Sequence, residues 1–404
     1  MTARIRSNGD QPADDGAADE TPEPDTLAAS STATIPEGVS EVLLVGTFAG
    51  GGVHRYVERQ REELPDGVDT ETHDMYSPRD RGGPIWLLRV ALRTAFAAVA
   101  FVRRSPPDLV HVHTSHHFSF YRAAFYVLFA QYIWDRPTVL HVHGSSFDTF
   151  VEDPPALVRA LQRVVFDASD AVVVLSPYWR DVVVDAGLVP ESAVSVVPNA
   201  VEPEYYDPEY DADPPRIVFV SNLIERKGVA ELVEALASVL DRADGTVAVD
   251  IAGDGPLRDR VEALADARES VTYHGYVSEE RKRDLLNRGT VYTLPTYAEG
   301  LPIAVLEAMA GGNAVVSTDV GSIPEVIDDD RGRLVTPGDA DALADALTAL
   351  VSDPDRAASM GQRNRRAVVE RYSWDGAVAS ILDVYDGCVS ERCRRRERAP
   401  DSGR

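Results

Sequence analysis

The chain has 404 residues, room for two domains, and a hydrophobic content of 44% that is ordinary for a globular protein. Its 66 acidic and 40 basic residues give a formal net charge of −26, which excludes non-specific nucleic-acid binding as a role. Only two of the bases are lysine, Lys227 and Lys282; an acidic, arginine-rich surface fits a protein that works in high salt, where repulsion is screened over a few Å. Two cysteines near the end, Cys388 and Cys393, are no disulfide framework, so a reducing cytoplasm is expected. Arg4 and Arg6 are not followed by an apolar segment, so no secretory signal is expected, and no run reads as a clean membrane span.

Residues 1–38 are rich in Ala, Asp, Glu, Pro, Ser and Thr and lack aromatics, which predicts a disordered acidic tail. A first domain is expected over 39–201. It opens with the apolar strand Glu41 to Gly46, a glycine cluster Gly50-Gly51-Gly52, and a helix from Val53 to Leu64. The glycines permit close approach of backbone to a ligand or a tight turn; the spacing is not that of a dinucleotide fingerprint. Ile85 to Val102 is apolar with basic punctuation at Arg89 and Arg93, then Arg103 and Arg104, and no acid occurs between Asp80 and Asp108. A basic amphipathic helix of this kind fits either an anionic lipid surface or a cover for the first sheet. Phe118 to Trp134 carries only Arg122 as a charge and reads as a helix covering the sheet.

Further strands are predicted over Asp108–His113, Pro137–His143, Ala171–Leu175 and Val194–Val197, separated by helix-length segments. Apolar strands alternating with helices indicate a parallel sheet covered on both faces, and such sheets bind ligands beyond the carboxyl ends of their strands. His113 and His143 lie at such ends, where a histidine serves either as a structural hydrogen-bonding group or as a site residue. Ser176 reads as an N-cap for the helix that follows.

A linker rich in Pro, Asp and Tyr is expected over 202–215, and a second α/β domain over 216–371. Its strands are Arg216–Val220, Val247–Ile251, Val271–Tyr273, Thr290–Leu294 and Ala314–Ser317. A helix over 372–390 and a basic flexible tail over 391–404 complete the chain. The most informative stretch runs from Pro295 to Gly311. Ile303 to Ala310 is apolar or small on nearly every side, a buried helix, except for Glu307. A carboxylate there is costly unless hydrogen-bonded. Glu299 stands just before the helix beside Gly300, Leu301 and Pro302, where free backbone N–H groups carry partial positive charge and suit phosphate. Two carboxylates eight residues apart around an anion site fit a nucleotide-sugar: the acids bind hydroxyls and the amides bind phosphate.

This stretch resembles the Glu-x7-Glu motif of retaining GT-B glycosyltransferases, in particular glycosyltransferase family 4. Several other segments resemble the same family in order: Val142-His143-Gly144; Val197-Pro-Asn-Ala200; Ser221-Asn-Leu-Ile-Glu-Arg-Lys-Gly228; Ala252-Gly-Asp-Gly-Pro256; His274-Gly-Tyr-Val277; and Gly321-Ser-Ile-Pro-Glu325. The resemblance covers roughly residues 40–388. It implies two Rossmann-like parallel-sheet domains facing a cleft, the second binding the nucleotide-sugar, and a last helix crossing back to the first. Glu299 is implied to face the donor sugar and Glu307 to bind the ribose. Lys227 is implied to neutralise the diphosphate, with His143 near the transferred linkage. Gly51 and Gly52 are implied to touch the donor phosphates and the acceptor, and Gly275 and Tyr276 to belong to a segment whose backbone contacts the base. Asn222 stands where the family has an arginine, which puts that basic contact in doubt; Arg226 is a substitute.

The implied reaction moves a sugar from a UDP- or GDP-linked donor to a hydroxyl of a glycan or lipid-linked acceptor, as in cell-surface polysaccharide or glycoconjugate synthesis. No nucleophile stands out in the motifs, so a front-side displacement governed by electrostatics is expected, with Lys227, Glu299 and His143 as its catalytic groups and neither cofactor nor metal. A cytoplasmic enzyme, peripheral at the inner membrane face through Arg89, Arg93, Arg103 and Arg104, is expected. Two other readings share the fold: a sugar-nucleotide epimerase, which would alter the donor without an acceptor, and a catalytically silent nucleotide-sugar-binding protein, which Asn222 makes conceivable.

Overall fold

Runs of β-branched residues fold here into two separate parallel sheets, each strand returning through a helix because parallel neighbours need a long crossover. The computed structural model describes residues 34–48, 50, 52–76, 83–242 and 247–398. The first half runs β1 (Glu41–Gly46), α1 (Gly52–Glu63), β2 (Asp69–Asp74), α2 (Pro84–Val102), β3 (Leu109–Thr114), α3 (Phe118–Phe129), β4 (Thr138–Val142), α4 (Phe147–Glu152), α5 (Ala156–Asp167), β5 (Ala171–Val174), α6 (Pro177–Asp185) and β6 (Val194–Val196). The second runs β7 (Arg216–Val220), α7 (Val229–Arg242), β8 (Ala248–Ala252), α8 (Arg258–Ala267), β9 (Val271–Tyr273), α9 (Glu279–Asn287), β10 (Val291–Leu294), α10 (Ile303–Ala310), β11 (Ala314–Thr318), α11 (Ile323–Val326), β12 (Gly332–Val335), α12 (Ala340–Val351) and α13 (Pro354–Arg371). A long α14 (Trp374–Arg398) follows.

The strand orders are β2-β1-β3-β4-β5-β6 and β12-β11-β10-β7-β8-β9, every pair parallel. Numbered within its own half, the second sheet is the doubly wound 3-2-1-4-5-6 order, and the order reverses between β7 and β10. In the first sheet it reverses between β1 and β3. The crevices beyond these strands' carboxyl ends are where open α/β sheets bind ligands.

Three differences from the sequence-based expectation have physical reasons. Two further strands, β2 and β12, form the sheet edges. β2 reads Asp-Thr-Glu-Thr-His-Asp, and only His73 in it is buried, because an edge strand answers to one neighbour and tolerates charge. Residues 34–38, assigned by sequence to the disordered tail, include a buried Pro36, and Ile35 packs on the first half's core; residues 1–33 lie outside the described residues. α14 runs on to Arg398, past the expected helix end at 390, so most of the stretch expected as a flexible tail is helical; residues 399–404 lie outside the description.

α14 does not pack with the half that precedes it. Trp374, Ile381, Leu382, Tyr385 and Cys388 join Val42, Leu44, Tyr56, Leu109, Val139 and Val173 in one buried cluster on the first sheet. Arg392, one turn beyond Cys388, donates to Asp170 (2.9 Å) and Asp135 (2.5 Å) and fixes the helix at that end. Burial pushes the Cys388 thiol up to about 12, so it behaves as a small hydrophobe.

Candidate functional site in the cleft between the sheets

The loops after β7 and β10, at the second sheet's switch point, meet over two residues. Lys227 ends a single 3-10 turn at 225–227, and its ammonium binds the Glu299 carboxylate. Glu299 also accepts from the Thr296 hydroxyl at 3.0 Å, and the Arg226 guanidinium lies 3.7 Å away. Arg226 itself donates to the Ala298 carbonyl at 2.5 Å. Both partners of the Lys227–Glu299 pair are buried. Burial pushes the Lys227 ammonium below the usual lysine range, and Glu299 opposes that fall. Gly228, in the left-handed region at φ 68°, makes the turn possible: a Cβ there would stand 1.8 Å from the Pro295 carbonyl oxygen.

One and a half turns into α10 stands the second acid. Glu307 accepts from the Lys282 ammonium of α9 at 2.6 Å, and Lys282 is also 2.5 Å from Glu279. Burial raises the Glu307 carboxyl; Lys282 counters it. Burial works against the Lys282 charge, but Glu307 and Glu279 outweigh it and hold its pKa above the usual lysine range. Glu279 in turn takes Arg55 of α1 at 2.9 Å, so a chain of four charges reaches from the first half to the motif helix. Both lysines of the sequence are thus spent on the two glutamates of the motif. Sequence reasoning assigned Lys282 no role; its rarity in a chain with 40 basic residues was the available signal.

From the first half, β4 delivers His143 to the cleft. It is one rung of a histidine ladder: His111 and His113 on β3, His141 on β4 and His143 just past its end share a sheet face by the period of two. His113 Nδ1 lies 3.0 Å from His143 Nε2, and His111 Nε2 lies 3.2 Å from His141 Nδ1. The ladder ends on the Tyr385 hydroxyl of α14, 2.8 Å from His111 Nδ1, with Gln60 bridging the two. Burial drives His111 and His143 to about 3 and His113 and His141 well below the usual histidine range, so all four rings are neutral. His111, His113 and His141 bring one ring nitrogen each within 4.8 Å of one another, the metal-capable histidine, cysteine and acid group among the described residues. The His111 and His113 rings, however, stack in near-parallel planes with centroids 4.2 Å apart, which directs their lone pairs side by side rather than to one centre.

The 299–302 loop is docked on the first half. Trp179 Nε1 donates to the Gly300 carbonyl at 3.1 Å and Asn199 Nδ2 to the Leu301 carbonyl at 2.5 Å. A Cβ on Gly300 would meet the His143 carbonyl oxygen at 3.3 Å. Behind the loop, Ser322 N donates to the Gly300 carbonyl, and a Cβ on Gly321 (φ 55°) would lie 2.1 Å from the Glu299 carbonyl oxygen. Ser176 occupies the N-cap position of α6 without making a cap bond; its hydroxyl takes Ser322 of the other half at 2.8 Å instead.

Together these parts enclose a cleft of about 590 Å³, lined by Gly52, His143, Asn222, Arg226, Lys227, Tyr276, Lys282, Glu299, Gly300, Leu301, Pro302 and Glu307, among others. Asn222 is exposed there, with Arg226 the nearby cation. Tyr276 is 85% exposed at the rim. Gly275 is not part of the lining; its carbonyl accepts from Gly253 N at 2.8 Å. Gly51 lies outside the described residues. Gly253 and Gly255 serve packing, since Cβ atoms there would strike the Ser221 and Leu223 carbonyl oxygens.

The four arginines assigned to a membrane surface are far less uniform than the sequence implied. Arg89 and Arg103 are exposed. Arg93 lies over the Tyr76 ring, 5.2 Å from its centroid. Arg104 is bound to Glu71 and the Thr72 carbonyl, and so is a structural tie to β2 rather than a surface cation. The apolar residues around them are the larger surprise. Ile85–Val102 is long and apolar enough to cross a membrane by length and composition, contrary to expectation, because only two charges interrupt 18 residues of mean hydropathy 1.8; 17% of it is buried. Ile85, Leu87, Leu88, Leu92 and Phe96 are all at least 60% exposed. α3 covers the sheet as expected, burying Phe120, Ala123, Ala124, Tyr126 and Val127, but its outer face exposes Phe118, Tyr121 and Phe125.

Comparison with known proteins agrees with this geometry. The family model for glycosyl transferases group 1 matches residues 214–353, and that for glycosyltransferase family 4 matches residues 49–205. The chain is 29% identical to alpha-maltose-1-phosphate synthase of Mycolicibacterium smegmatis over 84% of its own length and 95% of that protein's. It is 30% identical to the GDP-mannose-dependent alpha-(1-6)-phosphatidylinositol monomannoside mannosyltransferase of Mycobacterium tuberculosis over 57% of its own length and 65% of that protein's. Among solved structures, sucrose-phosphate synthase from Thermosynechococcus elongatus superposes with a TM-score of 0.71 at 20% identity, covering 87% of this chain and 100% of that one. Anabaena HepE in complex with UDP and glucose gives 0.64 at 17%, covering 86% and 99%. The two matched regions, the switch-point cleft and the paired glutamates lead to one statement: the chain belongs to glycosyltransferase family 4 and has the GT-B fold of its glycosyltransferases.

Proposed function

We propose that the protein transfers a sugar, with retained anomeric configuration, from a UDP- or GDP-linked donor to a hydroxyl of a glycan or lipid-linked acceptor, working at the cytoplasmic face of an anionic membrane. One observation carries the reading: Lys227–Glu299 and Lys282–Glu307 line a single cleft between the two sheets. In the proposed complex the Lys227 ammonium meets the diphosphate, helped by Arg226 and the free N–H groups at the start of α10. Glu299, released in part from Lys227, takes hydroxyls of the donor sugar. Glu307 takes the ribose hydroxyls.

The leaving diphosphate gains negative charge as the glycosidic bond breaks, and fixed cations in a dry cleft stabilise that charge better than water does. The acceptor hydroxyl enters on the same face as the departing phosphate. His143, neutral at physiological pH, offers a ring nitrogen to a sugar hydroxyl rather than a proton to the leaving group. Named relatives support a lipid acceptor and both nucleotides: one is GDP-mannose-dependent and acts on a phosphatidylinositol mannoside, another structure holds UDP and glucose. The exposed apolar face of α2, ringed by Arg89 and Arg103 and free of acids, supports docking on a lipid surface.

The test is a panel of UDP-, GDP- and ADP-sugars screened by thermal shift in high salt, then donor hydrolysis and product analysis on the best binder. Stabilisation by one nucleoside-diphosphate sugar and slow release of the free sugar with retained configuration are expected. No stabilisation by any of them sinks the proposal, and a sugar isomerised without acceptor indicates an epimerase instead.

A further inference from the structure

We infer that Lys282 is a positioning residue for the nucleoside end of the donor: it holds the Glu307 carboxylate ionised and aimed at the ribose. The inference rests on the nucleotide-sugar reading above and extends it to a residue outside the motifs.

The geometry is asymmetric in a useful way. Lys227 serves the acid beside the helix start, where a diphosphate sits; Lys282 serves the acid a turn and a half further on. Lys282 is 6% exposed and lines the cleft. An ammonium has three donors. Two are taken by Glu307 at 2.6 Å and Glu279 at 2.5 Å, which fixes the ammonium between two acceptors and leaves one hydrogen for a ligand. Arg55 holds the far oxygen of Glu279 at 2.9 Å, so the cluster is anchored in both halves. Arg55, Glu279 and Glu307 also line a neighbouring cavity of about 370 Å³, so the ion chain borders both spaces. A guanidinium is planar and forked and fits that corner less well than a compact point charge. This gives a reason for lysine at a buried position in a chain that otherwise uses arginine.

Without Lys282 the buried Glu307 would take up a proton, and a protonated acid is a poorer acceptor for ribose hydroxyls. The loss should therefore fall on the nucleoside and spare the phosphates. Titration calorimetry with UDP, GDP, the matching nucleoside monophosphates and inorganic pyrophosphate separates the two. Lys282→Met is expected to weaken whichever nucleoside diphosphate the wild type binds about tenfold, and the monophosphate by the same factor, with pyrophosphate affinity unchanged. Lys227→Met should do the reverse: a large loss for pyrophosphate and a small one for the monophosphate. Glu307→Gln combined with Lys282→Met should bind no more weakly than Glu307→Gln alone, since one acts through the other. Lys282→Arg keeps the charge and guards against a variant that does not fold; about a threefold loss with an unchanged melting temperature is expected.

Equal losses for nucleotide and pyrophosphate in Lys282→Met, or none for either, overturn the inference while leaving the donor reading intact. Failure of the wild type to bind any nucleoside diphosphate overturns both, and is read before any variant is made.

Discussion

The two halves share one architecture and face the cleft between them with opposite chemistry. The second presents charge held in place: Lys227 on Glu299 and Lys282 on Glu307, each pair buried and cross-braced. The first presents uncharged rings, the ladder from His143 to His111, braced on Tyr385. The outer surfaces differ as well. Among the described residues, the exposed large hydrophobics of the second half are Tyr276, Tyr297 and Val369, whereas the first half exposes most of one side of α2 and a stripe of α3. One half is therefore built to stabilise charge in a cleft, and the other to present neutral groups there and an apolar face elsewhere.

The largest expected effect sharpens this contrast at its centre. Glu299→Gln or Lys227→Met should lower kcat/KM by about a thousandfold, since each leaves a buried charge without its partner and, on the proposed mechanism, the first loosens the donor sugar while the second removes the cation that meets the departing diphosphate. His143→Ala should cost less, about tenfold to a hundredfold, and steady-state kinetics on the three variants would break the comparison if the order were reversed.

Acid should strike the neutral half first. A histidine held neutral has its folded pKa below the unfolded value near 6.5, so its contribution is fully present above that value and is lost as pH falls toward about 3. For each such ring the unfolded state gains about 2 kcal/mol at pH 5. Urea unfolding at pH 7 and pH 5 should show a loss of several kcal/mol, smaller in a His111→Leu variant; a flat profile would mean the ladder is charged in the native state.

At the surface, Leu88→Glu with Phe96→Glu should reduce flotation with anionic vesicles about tenfold, and Val369→Glu should leave it unchanged. Reversing Arg89 and Arg103 should matter at low salt and fade at high salt, while reversing Arg104 should act through β2 stability alone. The smallest effect belongs to Arg55→Met. Its bridge to Glu279 is exposed on both sides, 57% and 57%, so no more than about 1 kcal/mol is expected in donor affinity, vanishing in concentrated salt.

Much of this was readable before any coordinates. Ten of the twelve strands are apolar runs or carry β-branched alternation, and their boundaries fall within a residue or so of the expected ones. The Glu299 to Glu307 spacing marks the motif helix because buried acids in an apolar helix demand partners. What the sequence hides is partnership at a distance. Nothing local says that Lys282 reaches Glu307 or that His111 meets Tyr385, 274 residues away. β2 is hidden because an edge strand needs no apolar alternation. Arg104 misleads because a cation near a basic helix looks the same whether it faces phosphate or Glu71. The exposure of the outer face of α3 is equally invisible, since a helix apolar all round reads as buried on every side.

The origin of α14 in the last part of the chain has a consequence for how the molecule is made. The face of the first sheet that holds the ladder is closed by Trp374, Ile381 and Tyr385, so a ribosome that has delivered residues 34–371 has produced one finished half and one with its floor missing. The earlier-born half must wait, its apolar surface in need of shelter, for residues synthesised after the second half. A fragment ending before Trp374 is expected to aggregate, and adding the final helix as a separate peptide should rescue it.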